Sequence, residues 1–295
     1  MSTEEPKALY QEYRVEEYIP TEEPFYVAAG DEIAIFEAAY QQRIPVLMKG
    51  PTGCGKTRFL EYMAHRLGQS LISMKPDAKG GDHHPLPLVT VACHEDLTGT
   101  DLVGRYLLKG GETAWIDGPL ARAAKVGAIC YLDEIVEARK DTTVIIHPLT
   151  DHRRMLPVEK KGEVIRAHDN FLLVLSYNPG YQSALKDLKQ STRQRFIAIE
   201  FDYLPRDLEK KVIAHEGNTS EEIASDLAVL GEKMRHLKEY GLQEGASTRL
   251  LIYTAKLIES GISPRRACQV AVVWALSDDH EVQHSLEETV SAIFK

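Results

Sequence analysis

The sequence predicts an α/β fold in which a five-stranded parallel sheet lies between helices and a small all-helical domain follows. Three observations carry this. Short apolar stretches at 46–48, 88–92, 128–132, 171–175 and 196–201 are bounded by turn or polar residues, the pattern of strands buried on both faces. Helical patterns lie between them, as in 57–67, where Leu60, Met63 and Leu67 share one face, and such alternation implies a covered parallel sheet. After Phe201 the alternation stops at Pro205 and only helical patterns follow, which sets a domain boundary near residue 204.

Composition agrees with a folded chain. Of 295 residues, 35 are Lys or Arg, 44 are Asp or Glu and 43% are hydrophobic, which excludes disorder as the main theme. The charge is uneven: residues 1–30 hold seven acids and two bases, 31–203 hold 22 of each, and 204–295 hold 15 acids and 11 bases. No cationic field that would gather nucleic acid is visible. The longest apolar run, 270–276, has seven residues, against roughly 18–20 for a membrane span. With no basic and apolar leader at the N-terminus, the expectation is a cytoplasmic protein without a membrane span. Cys54, Cys93, Cys130 and Cys268 form no Cys-x-x-Cys pair and read as reduced, separate thiols. His83, His84, His94, His147 and His152 fit no ligand spacing, so no histidine metal site is expected.

In chain order, residues 1–30 read as an extended acidic arm carrying Pro20 and Pro24. Asp31 is placed to cap a helix with Ile33, Ile35, Phe36, Ala39 and Tyr40 as its apolar positions. Residues 75–87, rich in Gly, His and Pro, read as a surface loop. The C-terminal domain, 204–295, contains helical stretches near 208–215, 221–238, 247–260 and 263–276, the last with Ser263 as cap and Pro264 at its first position.

The chemistry begins at Gly50, Pro51, Thr52, Gly53, Cys54, Gly55, Lys56 and Thr57, a G-x-x-x-x-G-K-[ST] phosphate loop between a strand and a helix. Its backbone N–H groups face phosphates, Lys56 reaches the β and γ oxygens, and Thr57 ligates Mg²⁺. The third strand runs into Asp133 and Glu134, at the carboxyl end where ligands of open parallel sheets bind. Asp133 suits Mg²⁺ held through water, and Glu134 suits activation of an attacking water, which a kinase would not need. Asn178, after the next strand, is either a γ-phosphate sensor beside those acids or an Asn-Pro turn residue. Arg193 and Arg195 precede the fifth strand, and Arg249 opens a helix of the C-terminal domain. Each suits either a surface ion pair or contact with a nucleotide, Arg193 and Arg195 reaching a neighbouring subunit and Arg249 its own.

In order and approximate spacing these parts resemble an AAA+ ATPase, with the phosphate loop as Walker A, Asp133-Glu134 as Walker B, Asn178 as sensor 1, Arg195 as arginine finger and Arg249 as sensor 2. The resemblance spans residues 30–280. More narrowly, the chain resembles the MoxR branch and its CbbQ/NirQ/NorQ family through residues 49–57, 94–106, 116–120, 131–139, 176–182 and 191–196. The resemblance implies a P-loop AAA+ core with an all-α lid, a ring that is usually a homo-hexamer, ATP and Mg²⁺ at subunit interfaces, and two pore hairpins at about 106–115 and 152–170. Gly-containing turns between strand-like flanks agree with both hairpins. Tyr106 and Trp115 are either a cross-strand pair or substrate contacts. Arg193 departs from the simpler Asp-Arg-Phe pattern and leaves the finger shared with Arg195.

Family likeness further implies ATP-driven remodelling with a von Willebrand factor A domain partner. The lean is to a CbbO-like partner and Rubisco activation by release of inhibitory sugar phosphates, with nitric oxide reductase activation as the alternative. A nucleic-acid loader would need net-basic hairpins, whereas Lys160, Lys161, Arg153 and Arg154 are interleaved with Asp151, Glu159, Glu163 and Asp169. A scaffold that hydrolyses little is a third reading.

Overall fold

The computed structural model describes residues 17–18, 20, 22–74, 86–109, 111–179, 188–237 and 245–295. The expected loop at 75–87 therefore lies mostly outside the described residues, as do Gly180, Tyr181 and Gln182.

The central layer of the first domain is a six-stranded sheet. Its strands are β1 (Glu17–Tyr18), β2 (Val46–Lys49), β3 (Leu88–Ala92), β6 (Ile129–Asp133), β9 (Leu172–Tyr177) and β10 (Ile197–Glu200). Two further pairs form separate hairpins, β4 (Gly104–Lys109) with β5 (Glu112–Asp117) and β7 (Met155–Val158) with β8 (Glu163–Arg166). The spatial order of the large sheet is β1-β3-β6-β9-β2-β10. Five strands are parallel, as the apolar runs predict, and β1 adds an antiparallel edge that the sequence reading did not anticipate.

The helices of the first domain are α1 (Glu32–Gln42), α2 (Lys56–Met74), α3 (Gly99–Val103), α4 (Pro119–Val126), α5 (Lys140–Ile145) and α6 (Gln190–Arg193). They cover two faces of the sheet. On one, Phe36, Phe59, Leu60 and Met63 meet Val46, Met48 and Tyr131. On the other, Leu120, Ala124, Ile146 and Leu156 meet Leu47, Cys130 and Leu173. Alternate residues of each strand supply the two faces, as period-2 geometry requires.

After the connecting residues 201–205 come α7 (Arg206–Gly217), α8 (Glu221–His236), α9 (Thr248–Glu259), α10 (Pro264–Cys268), a π turn (Gln269–Val273), α11 (Trp274–Leu276) and α12 (His280–Ile293). They enclose their own core of Ile213, Leu227, Leu230, Leu251, Val272, Leu286 and Val290. The stretch expected as one helix over 263–276 is thus interrupted by a π turn, and α12 extends the helical domain past it.

Two expected caps differ in detail. Asp31 makes no side-chain cap bond at α1; instead the Glu32 carboxylate accepts the Ala29 and Gly30 N–H groups at 2.9 and 2.8 Å. Ser263 holds α10 through its backbone carbonyl, which accepts the Ala267 N–H at 2.9 Å. In the first hairpin Tyr106 lies directly opposite Trp115, with ring centroids 4.9 Å apart in an edge-to-face arrangement. The rings therefore form a cross-strand pair, and Tyr106 keeps one face to solvent with 47% exposure. Among the described residues no helix is long and apolar enough to cross a membrane.

Candidate nucleotide site

The site grows from the carboxyl ends of β2, β6 and β9. β9 pairs with both others, so Asn178 emerges between the loop after β2 and the acids after β6. Gly50 can leave β2 only as glycine: an added Cβ would sit 2.4 Å from the Phe201 carbonyl oxygen. The loop that follows leads into α2, whose N-terminus with its unpaired N–H groups favours anions. Lys56 is buried, and its Nζ donates to the Gly50 and Pro51 carbonyls at 2.7 and 2.9 Å. The ammonium is thus held against the loop it would help to fill.

Period 2 places Tyr131 and Asp133 on one face of β6. The Tyr131 and Ser176 hydroxyls both donate to Asp133 Oδ1, and Thr57 also reaches the Tyr131 phenol. Burial first, then the Asp133 charge, pushes the Tyr131 phenol well above its ordinary range, so it remains a donor. Glu134 has a left-handed backbone with φ 51°, and its N–H donates to Ser176 Oγ at 3.1 Å. Such a conformation is strained for a residue with a side chain. Burial, then the neighbouring Asp133, raises the Glu134 carboxyl above the usual range, while Lys56 and the Asn178 N–H pull the other way. Asn178 is buried, and its amide donates to Thr52 Oγ1 at 3.3 Å.

These groups open onto one cavity of about 750 Å³, ample for a nucleotide-sized ligand. The phosphate loop, Asp133, Glu134 and Asn178 line one end, and Phe25, Tyr26, Val27 and Leu204 line the other. Helix α9 closes the side with Arg249, Ile252, Tyr253 and Lys256, which recur every three or four residues along one helical face. Arg249 Cβ lies 3.5 Å from where a Cβ on Gly53 would stand. Thr57 and Asp133, hard oxygen donors that meet around Tyr131, fit Mg²⁺, and the glycine-framed loop before α2 fits phosphates.

Arg193 and Arg195 do not line this cavity. The Arg193 guanidinium sits 6.0 Å above the Tyr177 ring. Arg195 Nε is buried without a partner among the described residues. Beside them His147 Nε2 lies 3.1 Å from the Thr192 hydroxyl. Burial, then the Arg195 and Lys189 charges, lowers the His147 pKa.

The cysteines carry no evident chemistry here. Burial, then the Asp133 and Glu134 charges, pushes the Cys93 thiol up to about 12, and burial also raises Cys54. Both therefore stay protonated. None of the four cysteines is in a disulfide, and among the described residues no His, Cys, Asp and Glu cluster could hold another metal. Sequence reasoning missed Tyr131 and Ser176 as site residues. The signal was available, since each stands two positions before Asp133 or Asn178 and so shares its strand face.

Fold and site define a P-loop protein of the AAA+ class with a helical lid. Residues 45–196 match the AAA domain (dynein-related subfamily), and residues 209–293 match the CbbQ/NirQ/NorQ C-terminal family. Protein CbbQ of Hydrogenophilus thermoluteolus is 53% identical over 278 residues, covering 94% of this chain and 98% of that protein. Protein NorQ of Paracoccus denitrificans (strain Pd 1222) is 53% identical over 271 residues, covering 92% and 94%. The denitrification regulatory protein NirQ of Stutzerimonas stutzeri is 49% identical over 271 residues, covering 92% of each chain. The chain belongs to the CbbQ/NirQ/NorQ family of MoxR-type AAA+ ATPases.

Proposed function

We propose that this chain is an ATP-hydrolysing remodelling motor that assembles as a homo-hexamer and activates Rubisco with a von Willebrand factor A domain partner of the CbbO type. The observation that supports this reading best is the convergence of Lys56, Thr57, Asp133, Glu134, Asn178 and Arg249 on one cavity, whose lining does not include Arg193 or Arg195.

The residues divide the work as follows. Loop N–H groups from Gly53 to Thr57 and the Lys56 ammonium bind the β and γ phosphates. Thr57 and Asp133 would hold Mg²⁺, which when bound neutralises charge on those oxygens. Glu134 takes the proton of the attacking water as general base. Asn178 orients that water, and Arg249 binds the γ-phosphate from the lid. Arg195, with Arg193 sharing the task, completes the site of a neighbouring subunit.

The Rubisco target rests on overall likeness to CbbQ. A nitric oxide reductase target is the second reading, because the likeness to NorQ reaches the same 53%. Purified chain should turn over ATP with Mg²⁺, and Glu134→Gln should bind a fluorescent ATP analogue but lose turnover. With its von Willebrand factor A partner it should release sugar phosphate from inhibited Rubisco. Activation of nitric oxide reductase alone would redirect the target, and activation that persists in Glu134→Gln would replace the motor by a scaffold.

A further inference from the structure

A line of contacts leaves the nucleotide cavity and runs into the helical domain. It begins at Thr52, whose hydroxyl meets the Asn178 amide and whose carbonyl accepts the Tyr203 hydroxyl at 3.1 Å. Tyr203 stands in the irregular connection, residues 201–205, between β10 and α7. The Arg235 guanidinium of α8 lies 3.9 Å above the Tyr203 ring, close enough for a strong cation–π contact. That guanidinium donates to both oxygens of Glu209 on α7, at 2.8 and 2.6 Å, and its Nε donates to the Ala246 carbonyl at 2.9 Å. Glu209 Oε1 also accepts the Thr248 hydroxyl at 2.6 Å. Thr248 is the first residue of α9 and immediately precedes Arg249.

The two ends of this line differ physically. The Glu209 side chain is 1% exposed and Arg235 16%, and a bidentate buried pair satisfied by further hydrogen bonds is rigid because removing either partner strands a charge. It fastens α7, α8 and the start of α9 into one body. The Tyr203–Thr52 contact is a single hydrogen bond at the solvent-exposed end, so it can be made and broken at modest cost.

We propose that Tyr203 is the joint through which the phosphate loop sets the position of the lid, with Arg235 and Glu209 as positioning residues that deliver its movement to Arg249. The proposal rests on the nucleotide reading above. Phosphates entering the loop shift Thr52, Tyr203 follows, and the rigid triad carries α9 and Arg249 with it. The bistable element is lid orientation relative to the sheet, a hinge in the connecting residues.

Hydrogen exchange on the full chain, with and without ATP, tests this together with steady-state kinetics. In the wild type, ATP should protect both the phosphate loop and residues 245–252. Tyr203→Phe keeps the ring under Arg235 and removes only the hydroxyl. It should retain loop protection and nucleotide affinity, lose protection of 245–252, and lower kcat by about three- to tenfold. Arg235→Lys, which keeps the charge but loses the planar fork, should separate loop from lid in the same way. In an Arg249→Ala background Tyr203→Phe should cost little more, because the two act in series. Wild-type kcat with full lid protection in Tyr203→Phe would overturn the proposal, as would equal loss of loop and lid protection, which marks general weakening. If wild-type chain shows neither loop protection nor turnover, the nucleotide reading itself fails, an outcome distinct from loss of coupling.

Discussion

Gly53 of the phosphate loop and Ser247 of the lid approach so closely that a Cβ on Gly53 would lie 2.7 Å from Ser247 Cβ and 2.9 Å from its hydroxyl. Gly53 also has a φ of +70°, which strains any other residue by about 1–3 kcal/mol. Gly53→Ala should therefore push the N-terminus of α9 away from the loop and weaken ATP binding about tenfold or more. Titration with a fluorescent ATP analogue measures this, and unchanged affinity would mean that lid and loop separate freely.

Arg195 does not line the cavity of its own chain, and its buried Nε lacks a partner among the described residues. Arg195→Ala should leave ATP affinity nearly unchanged and reduce turnover by about 10³. Mixing it with Lys56→Ala subunits should restore part of the activity, since each variant supplies what the other lacks. No recovery in mixed samples, with co-assembly verified by light scattering, would assign the arginine to its own subunit.

His147 touches the segment that carries both arginines. Its folded pKa is lowered by burial and then by the Arg195 and Lys189 charges, so the unfolded chain takes up this proton more readily. The stability it contributes is present above the unfolded value, about 6.5, and is lost as pH falls through the folded one. His147→Gln should flatten the acid-side decline of the urea midpoint below about pH 6.5. Parallel pH profiles for the two proteins would remove His147 from the account.

Glu209 should be the most sensitive acid of the helical domain. Glu209→Ala leaves Arg235 largely buried without its counter-charge, at a cost of about 3–5 kcal/mol. Urea unfolding gives the value directly, and a loss below about 1 kcal/mol would mean that the pair behaves like a surface bridge.

Much of the site was legible because its parts stand at strand ends, where a short apolar run and the next polar residue are neighbours in sequence. The loop before Lys56, the pair Asp133-Glu134 and Asn178 are all of this kind. Tyr203, Arg235 and Glu209 were not legible, because their meaning arises only when three segments meet. Glu209 and Arg235 are 26 residues apart, and each reads alone as an ordinary charge on a helix.

The fold was legible to a similar depth. The parallel strands announce themselves by burial on both faces, whereas β1 is two residues within an acidic arm and forms only because β3 offers it an edge. Helix α12 had a usable signal in Asp279, which caps it, and in Val282, Leu286 and Val290 at four-residue intervals. The π turn in 269–273 had none, since its residues continue an apolar helical run.

The short strand β1 has a consequence for solution behaviour. Glu17 and Tyr18 pair with Val89 and Leu88 on the outer side of β3, the side that would otherwise present open backbone groups next to an apolar core. Exposed edges of this kind recruit strands from other molecules and seed aggregates. Glu17 and Tyr18 thus act as a guard against self-association through this edge of the sheet.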